Sequence, residues 1–489
     1  MADFEKDQKK KIDRKFFLAA LLTVIIGLIL SGLLAFIVYR YFDIKYLFMI
    51  LGAGVVVFGL LLFVAHRKRV LGLVLNIILC VCLLVVDVFA LKVAGVTGEM
   101  TNYKEVYTVK IIKSSDSDIS LDQDLFDKTL GYVSTEEYYT NWGFNLLDEK
   151  GKFEQLKKKA FQTYTELFDA LKAKEIDLAV LSGIGDAELD ELTQEGEEVY
   201  LKYSILLSDR QEVELKNLKP VNVDKQGFTI LIHGVDRSSD SIEENARSDV
   251  NMLITVNPNT GKVNIQTIPR DSYAEITCAD GKWSKINRAL EQGGTKCAIE
   301  TIEKFFNNKV TINFYARINF AGFEKLVDAV GGVTVNNPVA FSIVSSMDGI
   351  EYSYKKGNIT LNGVQALNFC RARKMLAGND LDRGKNQMRV LTAIVNKFMS
   401  DPSLDKMNGL LDAVKGNFMT SFQEPDFVKL LNMAMSIKSK MEIVTNTMSG
   451  PKFYHNSDAI YHQRMYYYNI SDEQKELAIK RIHDTIAGQ

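Results

Sequence analysis

Apolar positions fall along this chain in two regimes. Between Phe16 and Leu91 they run almost unbroken, in three stretches: Phe16 to Val38, Tyr46 to Val64, and Val70 to Leu91. Each is about 20 residues long, the length a helix needs to cross a hydrocarbon layer, so the pattern predicts three successive membrane spans. Three consecutive spans with no small-residue cleavage site argue against a removable leader. Cations flank the spans unevenly. Lys6, Lys9, Lys10, Lys11, Arg14 and Lys15 precede the first, and Arg67, Lys68 and Arg69 separate the second from the third. Only Arg40 and Lys45 lie between the first two. Positive segments stay on the cytoplasmic side, which predicts a cytoplasmic N-terminus and an external location for everything after the third span. Asp87 falls inside the third span, where a helix–helix contact is its one evident use.

Beyond Thr97 the apolar runs become short and periodic. In residues 98–220, "YTVKII" reads as a strand, "KKKAFQTYTELFDALKAKE" as an amphipathic helix and "IDLAVL" as the next strand. "DAELDELTQEGEE" is an acidic, solvated segment without metal-ligand spacing. This part reads as an α/β accessory domain. A second unit, 221–489, opens with the buried-type strand "GFTILIHGV", ending at Asp236. The strands "SDVNMLITV" and "KVNIQTI" follow, joined by the turn "NPNTG". "INFAGFEKLVDAVGG" reads as a helix with Phe320, Phe323, Leu326, Val327 and Val330 on one face and Gly331–Gly332 as its stop. "ALNFCRARK" is expected as a strand before a long helix starting near Asp382. The fold class is therefore α/β, a central sheet flanked by helices, behind three transmembrane helices in residues 1–97.

Charge narrows the choice of ligand. Residues 1–97 hold 12 Lys/Arg against 6 Asp/Glu, and the whole chain 59 against 61. The external part is thus acidic, 47 against 55, a poor surface for nucleic acid. Five cysteines are few: Cys80 and Cys82 sit in a span and Cys370 beside arginines. Cys278 and Cys297 lie outside, near enough in sequence to bridge across a loop in an oxidising compartment, although spacing alone does not prove the bond.

Against that acidic background, polar residues gather at strand ends. Asp236 closes one strand, and Arg247 and Asp249 open the next at i, i+2, an arrangement expected to point both to one side. Arg270 and Asp271 end another, after Pro269. Arg371 and Arg373 are expected to share a strand face, and Arg383 and Gln387, at i and i+4, a helix face near an N-terminus that favours anions. Any one of these has a structural explanation in a surface ion pair. Together they suggest a small polyanion, since arginine forks grip phosphate bidentately. Two carboxylates beside a phosphate call for a divalent cation, and oxygen ligands suggest Mg²⁺. The neighbourhood holds no Cys–His pair, no Gly-x-Ser-x-Gly elbow and no histidine but His233, so direct transfer from a pyrophosphate is the simplest chemistry.

"ILIHGVDR", "ARSDVNMLITVNPNTGKVNIQTIPRDSY", "KINRALEQGG", "FEKLVDAVGGVTV" and "LNGVQALNFCRARKMLAGNDLDRGKNQ" together resemble the LytR-CpsA-Psr family of cell-wall proteins over roughly residues 225–400. The three spans and accessory domain look like the capsule-associated CpsA branch of streptococci and relatives. The resemblance implies transfer of a glycopolymer, a capsular polysaccharide by the branch, from an undecaprenyl-pyrophosphate carrier to peptidoglycan outside the membrane, with Mg²⁺. It implies that Arg247, Arg270, Arg371, Arg373, Arg383 and Gln387 hold the pyrophosphate and that Asp236 and Asp249 serve the metal. Asp271 and Asp380 also fall on family positions, Asp271 as a candidate base for the acceptor hydroxyl. One departure is visible: where the family often has arginine before the glutamine stands Asn386, a contact that Lys385 or Arg389 would have to take over. Two other functions use the same residues, a regulator sensing lipid-linked precursor and a pyrophosphatase with water as acceptor. A sensor would need a cytoplasmic output domain, and the tail and loop here are short.

Overall fold

The computed structural model describes residues 2–39, 44–101, 105–134, 136–183, 185, 189, 200–213, 218–235, 247–279, 281–345, 348–378, 380–400, 404–437, 441–456, 458 and 464–489. The chain divides into two compact units, Met1–Thr101 with Phe422–Asn432, and Asn102–Ser421 with Met433–Gln489. In the first, helices α1 (Ala2–Tyr39), α2 (Ile44–Arg67) and α3 (Arg69–Thr101) carry three segments long and apolar enough to cross a membrane: Arg14–Tyr39, Leu47–Arg67 and Arg69–Thr101. Asp87 and Asn76 are buried on α3.

The second unit is built on two large sheets, with four two-stranded ones beside them among the described residues. The accessory sheet is built from β1 (Glu105–Ser114), β2 (Thr129–Val133), β3 (Lys157–Phe161), β4 (Leu178–Ser182) and β5 (Tyr203–Val213), in the order β3-β2-β4-β1-β5. Helix α4 (Glu137–Asp148) follows β2 and α5 (Tyr164–Lys172) follows β3. Strand alternation sorts its core: Val109, Ile111, Leu178 and Val180 pack on one face, Ile112, Ala179 and Leu181 on the other. The helix expected over "KKKAFQTYTELFDALKAKE" is half strand. Lys157–Phe161 pairs in parallel with β2, and the helix starts only where the Thr163 side chain accepts from the Glu166 amide. Most of "DAELDELTQEGEE" lies outside the described residues.

The larger sheet runs β16-β11-β6-β7-β8-β17. It comprises β6 (Phe228–Val235), β7 (Ser248–Val256), β8 (Lys262–Thr267), β11 (Phe314–Asn319), β16 (Phe418–Thr420) and the edge strand β17 (Glu442–Thr447). Around it lie the small strands β9 (Tyr273–Glu275), β10 (Trp283–Lys285), β12 (Val333–Asn337), β13 (Phe341–Val344), β14 (Glu351–Tyr354), β15 (Gly357–Leu361), β18 (Lys452–His455) and β19 (Met465–Tyr468). Its helices are α6 (Arg288–Phe305), α7 (Phe320–Ala329), α8 (Gly363–Arg371), α9 (Asp380–Ser400), α10 (Leu404–Val414) and, after α11 (Glu424–Ile437), most of which groups with the first unit, α12 (Asp472–Ala487). One sheet face packs Leu231, Leu253 and Tyr315 against Ile302 and Phe305 of α6 and Ile479 and Ile482 of α12. The other face, with Ile232, Val250, Met252 and Ile254, looks toward α7 and α9. Gly331 and Gly332, at φ 80° and 76°, end α7 as the glycine pair predicts.

"ALNFCRARK" is not a strand: it is helical through Arg371, and Ala372–Lys374 lie beyond the helix, so Arg371 and Arg373 do not share a strand face. The Asn362 side chain accepts from the Gln365 amide while the Gln365 side chain accepts from the Asn362 amide, a capping box that nucleates α8. Ala366, Leu367, Phe369 and Cys370 then fall on its buried side. Cys278 and Cys297 are disulfide-bonded, with Cα atoms 5.5 Å apart, and tie the β9–β10 turn to α6.

The accessory sheet is anchored in the larger domain. Glu105, at the start of β1 and 2% exposed, pairs at 2.8 Å with the fully buried Arg317 of β11. Glu105 also accepts from the Thr295 amide and hydroxyl, beside the kink that Gly293 and Gly294 make in α6. A Cβ on Gly294 would strike the Glu105 carboxylate, so the close approach requires glycine.

Candidate functional site

Between the second sheet face and helices α7 and α9 lies a cavity of about 490 Å³. Its floor is Ile232, Val250, Met252, Ile254 and Ile318; Phe320, Phe323 and Leu326 of α7 and Leu391 and Ile394 of α9 form walls. Arg270, Arg371, Arg373, Arg383, Asp249 and Gln387 line the same cavity. Six of the residues expected from the sequence are therefore brought together in the lining of a largely apolar chamber, which Lys374 and Asn319 also line.

Each arrives by a different local device. The pairing of β6 with β7 shifts register between Gly234 and Val235, so that Gly234 faces Val250 but Val235 faces Ser248. Asp249 is the extra residue of that bulge, and bulges re-aim side chains. This explains why Arg247 and Asp249 do not share a side as their i, i+2 spacing suggested. Asp249 turns to the cavity, while Arg247 binds Glu291 of α6 at 3.3 Å and is not among the lining residues. Arg270 follows Pro269 and reaches Asp249 at 2.5 Å. Arg371 is the last residue of α8, its guanidinium 4.6 Å from the Phe320 ring centre. The helix ends at Ala372, and Arg373 lies just beyond, donating to the Tyr466 hydroxyl at 2.6 Å. Arg383 and Gln387, one turn apart on α9, both face the cavity; Gln387 also donates to the Cys370 carbonyl of α8.

A second layer lies behind Arg270. Asp271 is fully buried, 2.8 Å from the Lys285 ammonium, and accepts from the Tyr466 hydroxyl at 2.7 Å. Burial disfavours its ionised form, but Arg270, Lys285 and the hydrogen bonds from Lys285 and Tyr466 prevail and hold the carboxyl well below its usual range. Burial likewise opposes the charge on Asp249, and Arg270 and Arg383 outweigh it. Burial raises the Tyr466 hydroxyl pKa, reinforced by the Asp271 charge, so it remains a donor. Lys285 and Tyr466 were not visible in the sequence pattern. Tyr466 reaches Asp271 from 195 positions away, on a strand hairpin that no motif marks.

Other expectations fare differently. Asp236 lies outside the described residues, as does the side chain of Asp380, which begins α9. Asn386 is 2% exposed and donates to the Phe369 carbonyl. Neither Lys385 nor Arg389 substitutes for the missing arginine in the cavity: Lys385 pairs with Asp382, Arg389 donates to Asn386, and both line a different cleft. His233 is buried on the opposite sheet face against Tyr315. Among the described residues no group of three His, Cys, Asp or Glu forms a metal cluster. One ionised carboxylate, Asp249, stands among the arginines, and Mg²⁺ commonly takes one or two carboxylates with substrate phosphates supplying the rest. The residues thus fit a metal that binds together with its ligand.

The LytR_cpsA_psr family model matches residues 199–482. A polyisoprenyl-teichoic acid–peptidoglycan teichoic acid transferase TagU of Enterococcus faecalis is 33% identical over 271 residues, 55% of this chain and 82% of that relative. The TagU of Oceanobacillus iheyensis is 33% identical over 301 residues, 60% of this chain and 86% of its own. Among solved structures, B. subtilis TagV is 27% identical, covering 54% of this chain and 98% of that one, with a TM-score of 0.45.

Proposed function

Because the chain belongs to the LytR-CpsA-Psr family, we propose that it transfers a glycopolymer from an undecaprenyl-pyrophosphate carrier to peptidoglycan on the outer side of the membrane. The observation that carries this reading is the amphiphilic cavity: a largely apolar chamber whose lining includes Arg270, Arg371, Arg373 and Arg383. An isoprenoid gains about 0.8 kcal/mol per methylene removed from water, so the chamber suits the tail. With Lys374 in the same lining and Lys285 behind them, these four arginines give an excess of four positive charges over Asp249 and Asp271, which suits a doubly anionic pyrophosphate diester.

The acceptor hydroxyl oxygen bonds to the sugar-side phosphorus, the P–O–P bridge breaks, polyprenyl phosphate leaves, and the hydroxyl proton passes to water. Arginines that hold the non-bridging oxygens and the bridging oxygen that leaves stabilise the charge of that transfer without moving. Asp271, ionised and doubly hydrogen-bonded, is a weak base at neutral pH. Its role in this reading is to fix Arg270, Lys285 and Tyr466, and through Tyr466 the Arg373 fork. Mg²⁺ would be held by Asp249, with Asp236 as the second candidate, and would neutralise charge between carboxylate and phosphate. The TagU relatives are named for teichoic acid, and a capsular polymer rests on the three-span architecture alone.

The test is to give the full-length protein in nanodiscs a polyprenyl-pyrophosphate glycopolymer and peptidoglycan, with Mg²⁺ or EDTA. Polymer appearing on the wall with polyprenyl phosphate released, in the Mg²⁺ arm alone, is the expected result. Polyprenyl phosphate released without attached polymer would replace the transferase reading with a pyrophosphatase; equal transfer in EDTA would remove the metal.

A further inference from the structure

Helix α9 serves two cavities. Arg383, Gln387, Leu391 and Ile394 face the apolar chamber, while Lys385, Arg389 and Lys397 line a second cleft of about 980 Å³. Asn336 of β12, Asn446 and Thr447 of the edge strand β17, and Arg481 of α12 contribute to its other walls. Four of the residues lining the cleft are cationic and none is acidic, although the external part of the chain is acidic as a whole. Lys385 shares its charge with Asp382, but Lys397 and Arg481 have no ionic partner among the described residues. The remaining polar lining is hydroxyl and carboxamide, groups that hydrogen-bond sugar hydroxyls and N-acyl groups. Thr447 also borders a narrow gap walled by Asp249, Arg270, Arg383 and Gln387. Thr447 is thus common to the cleft and to the wall of the arginine cradle, on the other side of α9 from the chamber.

We propose that this cleft binds the acceptor, a length of peptidoglycan glycan strand, through the carboxylates of its lactyl-linked stem peptides and its sugar hydroxyl and acetamido groups. The inference rests on the transfer reading above. Attacking and leaving oxygens lie roughly in line in phosphoryl transfer. The leaving polyprenyl phosphate has its tail in the apolar chamber, so the acceptor hydroxyl enters from the far side, where the cleft is. Lys397 and Arg481, without ionic partners among the described residues, select an anionic strand on that approach and bring its hydroxyl toward Thr447, beside the arginine cradle.

The probe is a soluble, uncrosslinked peptidoglycan strand, with its carboxyls free or chemically amidated, offered to the full-length protein in nanodiscs. For the double variant Lys397→Gln/Arg481→Gln, strand binding weakens about 5- to 10-fold, and the acceptor KM rises by the same factor with kcat and donor KM unchanged. Amidated strands bind the wild-type protein as weakly as free strands bind the variant, an arm that does not depend on the variant folding. Equal binding of free and amidated strands to the wild type, or an unchanged acceptor KM in the variant, overturns the cleft assignment. So does a raised donor KM with displacement by soluble polyglycerol phosphate, which gives the cleft to the donor polymer instead. Charge-dependent strand binding in a wild-type protein that transfers nothing would sink the transferase reading and leave the cleft standing. Normal transfer with a variant-insensitive acceptor KM would remove the cleft alone.

Discussion

At the scale of single residues, the arginines lining the cavity are held in different ways, which separates their expected behaviour. Arg371 stacks on Phe320 and Arg373 is fixed by Tyr466. Replacing either by lysine keeps the charge but loses the fork, so turnover should fall about 10- to 100-fold, the equivalent of one charge-assisted hydrogen bond. The thermal midpoint should hardly move. A lowered midpoint with wild-type turnover would mean that these side chains are structural. His233 makes a prediction of another kind. Burial, and then the Arg317 charge, lower its pKa to about 3, so the folded protein keeps it neutral. An unfolded histidine titrates near 6.5, so this contribution is complete above about pH 6.5 and shrinks by roughly 1.4 kcal/mol per pH unit as pH falls toward 3. The depressed carboxyls of Asp249 and Asp271 act only below about pH 4, the usual carboxylate range, and Glu324, raised by burial, acts with the opposite sign, so the comparison with a His233 variant isolates the histidine. Denaturant midpoints between pH 6.5 and 4.5 should slope less in His233→Gln than in wild type. Identical slopes would show that His233 is not the titrating group.

At the scale of elements, the cavity exists because α7 and α9 stand off one face of a sheet whose other face is filled by α6 and α12. Phe323 is half-buried on the chamber wall. Phe323→Ser should cost a long-chain polyprenyl donor about 1.5–3 kcal/mol, or roughly 10- to 100-fold in affinity. A donor truncated to a few carbons should bind both proteins alike. If both donors weaken equally, the chamber is not the tail site. Elements also explain two differences from the sequence reading. The Asn362–Gln365 capping box makes α8 a helix, and the bulge at Asp249 parts that residue from Arg247. The box was present in "NGVQ", whereas no local signal announces the bulge, which is a mismatch in length between two strands.

At the scale of the molecule, the accessory sheet enters the larger domain through one buried carboxylate. Glu105→Ala would leave Arg317 buried without its counter-ion, a loss of about 3–5 kcal/mol. Adding Arg317→Met should recover much of it, because no uncompensated charge remains; a double variant as unstable as the single one would contradict this account. Topology is tested on intact protoplasts. Added protease should degrade residues 98–489, as the flanking cations predict, and survival of that part would reverse the orientation and remove wall transfer with it.

The sequence by itself determined what depends on near neighbours. Apolar runs of about 20 residues set the three helices of the first unit, short apolar runs bounded by turn residues set β6 and β7, and Gly331–Gly332 set the end of α7. It also named most of the cavity's charged lining, since Arg270, Arg371, Arg373 and Arg383 lie in recognisable motifs. Tertiary structure alone decided which of those charges converge. Arg247 belongs to Glu291 and Asn386 to the backbone of α8, while Lys285 and Tyr466 arrive from distant strands to hold Asp271. Nor does one-dimensional spacing reveal that α9 divides an apolar chamber from a cationic cleft, for its faces acquire different meanings only once a sheet edge and α12 close around one of them. The physical reason is the same in each case: burial and Coulomb interaction depend on distance in space, and sequence separation fixes that distance only within a helical turn or a strand pair.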